Sequence, residues 1–417
     1  MKQHRTLIKY PADYNPILEY WQEIESGKVT VGQKIYTTYK KIAYDLTHEG
    51  EFFYSSARAN HVIEFIENYC KHSKGKLGGR AVVLELWEKA LLATVFGFVD
   101  IEGNRKYKEA MLIVGRKNGK SLIASAVGLY LLIGDNEPGP EIVSVATKRD
   151  QAKIIWLESR RMVRKSPALL KRIKTLVAEL QSDFNDGVFK PLASDSDTLD
   201  GLNIHGALMD EWHAWKNGLA LYDVVVDGSS AREQPLTFAT STAGTVREDI
   251  YDIKYDEAER IINGYFDDNG YKDERVIAFI YELDSRKEWT DPKCWPKANP
   301  GLGTIKNYRT LAEKVEKAQK NPLLVRNLVC KEFNIRETTS EAWLNFETIY
   351  NPATFNLAEL KPKYGIGGTD LSSNVDLTAA KLIFMIPDDP HIYVLQMYWL
   401  PEDLLELRVK EDKIPFA

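Results

Sequence analysis

Apolar positions recur at two spacings along this chain, and the places where the spacing changes divide it. Over residues 1–75 they stand three and four apart, as in PILEYWQEIESG and ARANHVIEFIENYCKHSKG, which predicts amphipathic helices. The Gly/Lys-rich stretch SKGKLGGR reads as a break before AVVLELWEKALLATVFGFVD. Residues 76–250 then read as one α/β core. An apolar strand covers Ala110 to Val114, a glycine loop follows, and a helix runs from about Lys120 to Ile133. A second strand, EIVSVAT, leads into a long basic helix from Arg149 to about Lys165. Strand, loop, helix, strand and helix in that order predict a parallel sheet flanked by helices. TLVAELQSDFNDGVFKPLAS, with Asn185-Asp186-Gly187 at its centre, reads as a hairpin. Two further apolar strands lie at IHGALMD and PLTFATST. Residues 251–341 are charged and read as a helical linker, broken by DPKCWPKANPGLG. From 342 to 417 the pattern changes again: KYGIGGTDLSS, DLTAAKLIFMI and HIYVLQMYWL predict three consecutive strands joined by short turns.

A length of 417 residues implies two or three domains. A net charge of −5 does not by itself point to a nucleic-acid partner, but phosphate affinity depends on local basic patches and not on the total. Cys70, Cys294 and Cys330 have no C-x-x-C spacing, which argues against a zinc site or a disulfide framework and favours a reducing compartment. The N-terminus carries no apolar signal region. The longest apolar run, Leu122 to Ile133, is shorter than the about 20 residues needed to span a bilayer. A cytosolic chain with no membrane partner is expected.

The candidate chemistry lies in three stretches. In LIVGRKNGKSLIA, Gly115 and Gly119 are separated only by Arg116, Lys117 and Asn118, one residue fewer than in the usual G-x-x-x-x-G-K-[ST] phosphate loop. Such a loop aims backbone N–H groups and a helix N-terminus at one anion. Lys120 would reach the β- and γ-phosphates and Ser121 would offer its hydroxyl to Mg²⁺. Farther along, IHGALMDEWHAW is an apolar strand ending in Asp210-Glu211, the Walker B arrangement. There Asp210 would hold Mg²⁺ and Glu211 would orient the attacking water. TFATSTAG ends the next strand in Thr240, Ser241 and Thr242, hydroxyls able to touch a γ-phosphate or its water. A lone G-K-S tripeptide starts many ordinary helices; the two motifs in order, each on a predicted strand, make that bland reading improbable.

These ordered motifs resemble the large terminase subunit of tailed bacteriophages, the ATP-driven motor that packages DNA into preformed capsids. That family commonly shortens its phosphate loop, with Arg-Lys or Arg-Gln before x-G-K-[ST], as in Arg116-Lys117-Asn118-Gly119-Lys120-Ser121. VVLELWEKALLATVFGF is similar to the family's adenine-holding segment, which makes Trp87 a nucleotide-binding candidate. The family's usual Pro-Trp-Gln is Leu86-Trp87-Glu88 here, so the glutamine amide suited to an adenine edge is missing. GLNIHGALMDEWHAW resembles the family's Walker B region, AREQPLTFATSTAG its coupling motif and CWPKANPGLG its linker. GIGGTDLSSNVDLTAA looks like the first strands of its RNase H-like nuclease. The resemblance implies a P-loop NTPase sheet with N-terminal helices, a helical linker and the start of a nuclease domain. It implies ATP and Mg²⁺ as cofactors, with Mn²⁺ an alternative at the nuclease site. The implied partners are double-stranded DNA, a portal protein and a small terminase subunit, in a homo-oligomeric ring in the host cell cytoplasm. Two rivals remain: a helicase-like DNA-dependent ATPase, and a nucleotide-gated assembly protein that does not hydrolyse.

RNase H-like nucleases hold two metal ions with carboxylates. Asp370, in an apolar strand where an unpaired carboxylate would be costly to bury, is the expected first ligand; Asp376, in the following turn where a solvated Asp is common, is a further candidate. Glu402, Asp403 and Glu406 read as a surface helix start, so a chain ending at Ala417 is expected to hold less than half a nuclease domain. A packaging ATPase also needs an arginine against the γ-phosphate charge. Arg116, Arg232, and Arg160, Arg161 or Arg164 on the basic helix are the candidates. His205 and His213, flanking the Walker B strand, read as packing or capping residues, and RRMVRKSPALLKRIK as a solvated helix or a DNA-channel lining.

Overall fold

The computed structural model describes residues 7–48, 50–75, 77–194, 201–244, 249–337, 353–360, 362, 364–371 and 378–399. It divides into two compact units, Met1–Ser340 and Glu341–Ala417. The first opens with helices α1 (Pro16–Glu25) and α2 (Gln33–Asp45), then strand β1 (Phe53–Tyr54), α3 (Ser56–Tyr69), α4 (Leu86–Gly97) and strand β2 (Phe98–Val99), which pairs with β1. Local chemistry sets the starts: Pro16 occupies the first turn of α1 and Asn15 Oδ1 accepts from Ile17 and Leu18 N–H, both at 3.1 Å.

The sheet strands follow, interleaved with helices: β3 (Glu109–Ile113), α5 (Lys120–Ile133), β4 (Glu141–Ala146), α6 (Arg149–Lys165), α7 (Pro167–Leu170), β5 (Lys174–Thr175), β6 (Leu180–Ser182), β7 (Gly187–Ala193), β8 (Ile204–Asp210), α8 (Gly218–Asp227), β9 (Leu236–Ser241), α9 (Ile250–Gly264) and β10 (Val276–Ile280). Helices α10 (Tyr308–Lys320) and α11 (Val325–Phe333) close the unit. The sheet order is β10-β3-β9-β8-β4-β7-β6-β5, parallel from β10 to β7 and antiparallel at the β7–β6–β5 edge, where the Asn-Asp-Gly turn makes the expected hairpin.

Successive strand residues serve opposite faces. Ala110, Leu112, Leu208 and Phe238 pack with α1–α5, while Met111, Ile113, Met209 and Ala239 pack with α8 and α9. Burial on both faces is what the unbroken apolar runs require of a parallel sheet. The N-terminal helices therefore belong to the same core as the sheet. A smaller cluster around Trp295, Leu311, Val315 and Phe333 joins α10, α11 and the proline-rich segment.

At the far end of the sheet from the strand carboxyl ends, Arg105 donates from Nη1 to both oxygens of Asp135 at 3.0 Å, and His205 Nε2 lies 2.8 Å from Asp135 Oδ2. The Arg105 and Asp135 side chains are 2% and 1% exposed. Burial alone would raise the Asp135 carboxyl, but Arg105 and His205 beside it bring it below its ordinary value. Removing one partner of such a pair strands a buried charge. Asp135→Ala is expected to lower unfolding free energy by about 3–5 kcal/mol, read from the denaturant midpoint at unchanged slope. A loss below about 1 kcal/mol, the size typical of an exposed pair, would refute this.

The second unit holds an antiparallel sheet, β11 (Ile366–Asp370), β12 (Thr378–Phe384) and β13 (Tyr393–Trp399), in chain order as expected. Phe355, Phe384 and Tyr393 form its small aromatic cluster. Asp370 is not the buried mid-strand carboxylate the sequence predicts. It ends β11, opposite Ala379, and every residue of that strand is exposed. The burial argument for Asp370 as a metal ligand therefore does not hold. Asp376, Glu402, Asp403 and Glu406 lie outside the described residues.

Candidate nucleotide-binding site

The carboxyl ends of β3, β9 and β8 lie side by side, with Ile113 opposite Ser241 and Thr240 opposite Asp210. Ligands of open parallel sheets bind at such ends. The loop from Gly115 to Gly119 leaves β3 and turns into α5, with Lys117 and Gly119 in the left-handed region at φ 69° and 86°. Lys120, at the start of α5, is buried and donates from Nζ to the Val114 carbonyl at 3.0 Å. Burial lowers its pKa, opposed by the nearby Glu211 and Asp210 carboxylates.

The loop is braced from outside. Gly115 N–H donates to Ala298 O at 3.0 Å and Arg116 N–H to Lys331 O at 2.9 Å, carbonyls of the linker segment and of α11. A side chain at Gly115 would place its Cβ 2.5 Å from both Asn299 Oδ1 and Glu332 O, so only glycine fits. Asn118 is fully buried. Its Nδ2 donates to Gly115 O at 2.8 Å and Asn299 Oδ1 at 2.9 Å, and its Oδ1 accepts from Gly301 N–H at 3.2 Å. Gly115 and the Asn118 side chain thus shape the loop from behind, and neither residue is among those that line the cleft. Asn118→Ala removes the partner of Gly301 N–H and a donor to Gly115 O at a buried position, while Asn299 Oδ1 keeps Lys306 Nζ. The substitution is expected to cost about 1–3 kcal/mol of stability and to weaken nucleotide binding; a melt and a nucleotide titration both unchanged would refute that.

On the opposite wall, Asp210 gathers the other motifs. Its Oδ2 accepts from Ser121 Oγ at 3.2 Å and its Oδ1 from Thr240 Oγ1 at 2.8 Å and from Glu211 N–H at 3.0 Å. Ser121 and Asp210 together offer the hard oxygen pair that a Mg²⁺ ion accompanied by phosphate and water requires. Glu211 N–H also donates to Thr240 O at 2.8 Å, and Glu211 itself is left-handed at φ 53°, which turns its side chain back toward the cleft. Burial raises the Glu211 pKa, assisted by Asp210 and opposed by Lys120, Lys331 and Arg116. Thr240 and Ser241 were expected to face a γ-phosphate. Instead Thr240 is spent on Asp210, and Ser241 Oγ donates to Thr242 O at 2.9 Å and faces His213.

A cleft of about 760 Å³ is lined by Arg116, Lys117, Gly119, Lys120, Ser121 and Glu211, with Leu122, Ile154, Leu157 and Ile305 as apolar wall. Its remaining wall was missed in the sequence. His72, Ser73 and Lys74, from the stretch read as a break, line it after a single bridge between Lys71 and Ala81 folds that stretch back. Ser73 Oγ hydrogen-bonds Glu158 Oε1 on α6, which pins the wall. One bridge is too short to leave an alternating pattern; only the glycines signalled a turn.

Of the candidate arginines, Arg116 and Arg161 line the cleft, and Arg160 and Arg164 do not. Arg232 is excluded by position: it precedes β9, so it sits at that strand's amino end, where it bonds Glu137, Gly139 and Asn203 O. Trp87 is not among the residues that line the cleft. It is 3% exposed and packs edge-on against Tyr281 with ring centroids 5.5 Å apart. Glu88 accepts from Glu85 N–H at 2.8 Å, and burial pushes its carboxyl up to about 8. Among the described residues no group of three or more His, Cys, Asp or Glu could hold a metal ion, and no helix is long and apolar enough to cross a membrane.

The family model for the terminase large subunit ATPase domain matches residues 86–260, and that for the terminase large subunit endonuclease domain matches residues 271–416. The chain is similar to the terminase large subunit of Enterobacteria phage HK97, at 27% identity over 365 residues, 86% of this chain and 68% of that protein. It is also similar to protein YmfN of Escherichia coli K12, at 26% identity over 256 residues, 60% of this chain and 54% of that protein. The crystal structure of the HK97 bacteriophage large terminase matches with TM-score 0.58 at 25% identity, covering 86% of this chain and 71% of that one. The chain thus spans about two thirds of the phage protein and about half of YmfN.

Proposed function

The chain belongs to the terminase large subunit family, DNA-packaging motor subunits with ATPase and endonuclease domains, and from that premise we propose that it hydrolyses Mg²⁺-ATP in the Lys120 cleft to drive double-stranded DNA into a procapsid. The observation that carries this reading is the convergence of Lys120, Ser121, Asp210 and Glu211 at the ends of neighbouring parallel strands on one cleft. The residues fit the group: a loop backbone with two left-handed positions, a buried lysine and a paired serine and aspartate form an anion and cation seat together. Bound Mg²⁺-ATP supplies a polarised γ-phosphate as the electrophile.

The chain's residues do the rest. Lys120 Nζ exchanges the Val114 carbonyl for phosphate oxygen and neutralises charge there. Ser121 and Asp210 orient the cation. Glu211 Oε2 accepts the water proton, and burial, which raises its pKa, makes it a stronger base than an ordinary glutamate. Arg116 and Arg161 face the cleft with charge for the transition state. Mg²⁺-dependent release of phosphate from ATP, abolished by chelator, is the expected result; none above background removes the reading.

The DNA partner, the portal protein, the small terminase subunit, a homo-oligomeric ring and the host cytoplasm are proposed from family membership. Contacts would come from exposed cations such as Arg164, Lys165 and Lys171, so duplex binding should ignore sequence and follow salt steeply. With six or more phosphate contacts, affinity should fall about 10³-fold or more between 50 and 200 mM salt. Affinity that is flat across that range, or confined to one base sequence, contradicts it. We further propose Asp370 as a metal ligand of the endonuclease domain, with Mg²⁺ or Mn²⁺; what supports it is the family match over that segment. A Mn²⁺ titration unchanged in Asp370→Ala removes it from the ligand set.

A further inference from the structure

His213 stands just beyond the Walker B strand and touches both it and the coupling strand. Its Nδ1 lies 3.1 Å from Glu211 Oε2, 3.2 Å from Ser241 Oγ and 3.5 Å from Thr242 Oγ1. Its own N–H donates to Ser241 Oγ at 3.3 Å. The ring has little room to leave: its side chain is 9% exposed, Tyr251 stands edge-on to it at 6.4 Å, and a Cβ on Gly244 would lie 2.8 Å from His213 Cβ. Valence then narrows the choices. Ser241 Oγ gives its hydrogen to Thr242 O at 2.9 Å, so toward His213 it can only accept. The Glu211 carboxylate can also only accept. One Nδ1 hydrogen thus faces two acceptors and can serve only one of them at full strength.

We propose that His213 is a positioning residue that divides its Nδ1 hydrogen between Glu211 and Ser241, so that the end of β9 sets the stance of the hydrolytic carboxylate. This rests on the reading of Glu211 as the base. With the hydrogen on Glu211, Oε2 is tied and partly satisfied; with it on Ser241, Oε2 is free to take a proton from water. The end of β9 is itself held by the segment that braces the phosphate loop. Ala243 N–H donates to Asn334 Oδ1 at 3.0 Å and Lys331 Nζ to Ala243 O at 3.1 Å, while Lys331 O accepts from Arg116 N–H. A shift of α11 against the loop therefore reaches Ser241 within two residues, and through His213 reaches Glu211.

The test is steady-state ATP hydrolysis by the full chain, with nucleotide affinity measured separately and folding checked by a thermal melt. His213→Ala should lower kcat roughly 10- to 100-fold through a misplaced base, with KM and nucleotide Kd within about twofold of the parent. His213→Asn, whose amide N–H stands near the place of Nδ1, should recover most of the loss. Ser241→Ala should add little in the His213→Ala background, since the hydrogen to be shared is already gone. Parental kcat in His213→Ala overturns the proposal, provided Glu211→Gln is inactive. If Glu211→Gln is also fully active, the reading of Glu211 has failed instead. Equal losses in His213→Ala and His213→Asn with KM rising in both would make His213 a packing residue and overturn the proposal too.

Discussion

Glu211→Gln is expected to lower ATP turnover by about 10²–10⁴-fold while leaving nucleotide affinity nearly unchanged. The substitution keeps the shape of the side chain and removes its charge and its capacity to take a proton. The Glu211 carboxylate helps to hold the charge on Lys120, but among the described residues no hydrogen bond of Lys120 or of the Ser121–Asp210 pair ends on it, so binding is largely spared. The same carboxylate governs the acid limb of the parent's activity. Burial and Asp210 raise its pKa, so the ionised, base-competent form is lost as pH falls through a value above that of an ordinary glutamate. Turnover should decline there and not lower, and the limb should be absent from whatever residual rate Glu211→Gln retains. Activity that holds down to the ordinary glutamate range contradicts the assignment.

Lys120→Ala should do the reverse and strike binding. A buried ammonium within reach of phosphate makes a charge-assisted hydrogen bond worth about 1.5–3 kcal/mol, so affinity for Mg²⁺-ATP should fall about 10- to 150-fold. The stability cost should be small, because desolvation already weighs against the charged form of Lys120 and, among the described residues, its hydrogen bond is to the Val114 carbonyl. Equilibrium nucleotide titration of both variants side by side checks the contrast. Equal affinity in Lys120→Ala and the parent would move the phosphate seat elsewhere.

Much of this site was legible because its parts are local. An apolar strand, a glycine loop and Lys120-Ser121 are contiguous, and so are the strand IHGALMD and Glu211. The misses share a different physics, that of contacts between distant positions. Nothing near Asn118 announces Asn299, and nothing in a Lys/Gly-rich turn announces that Ser73 is pinned to Glu158. The exclusion of Arg232 could have been reasoned out: a parallel strand presents its carboxyl end to the ligand, so a residue preceding β9 lies at the wrong edge. Trp87 sat in a helix apolar on every side, which marks a core helix and not a cleft wall. The burial expected of Asp370 is not seen, since β11 is exposed throughout, as most of β13 is. His213 was undervalued for a simpler reason, that sequence places it beside Glu211 but cannot show Ser241 arriving on the other side of its ring.

If one cleft both binds and hydrolyses the nucleotide, Glu211 should separate the two acts. The direct measurement is the identity of the nucleotide retained by Glu211→Gln after incubation with Mg²⁺-ATP and rapid removal of free ligand. Retained ATP with little ADP is expected of the variant, where the parent retains mostly ADP. ADP formed in the variant at the parent's rate would contradict it.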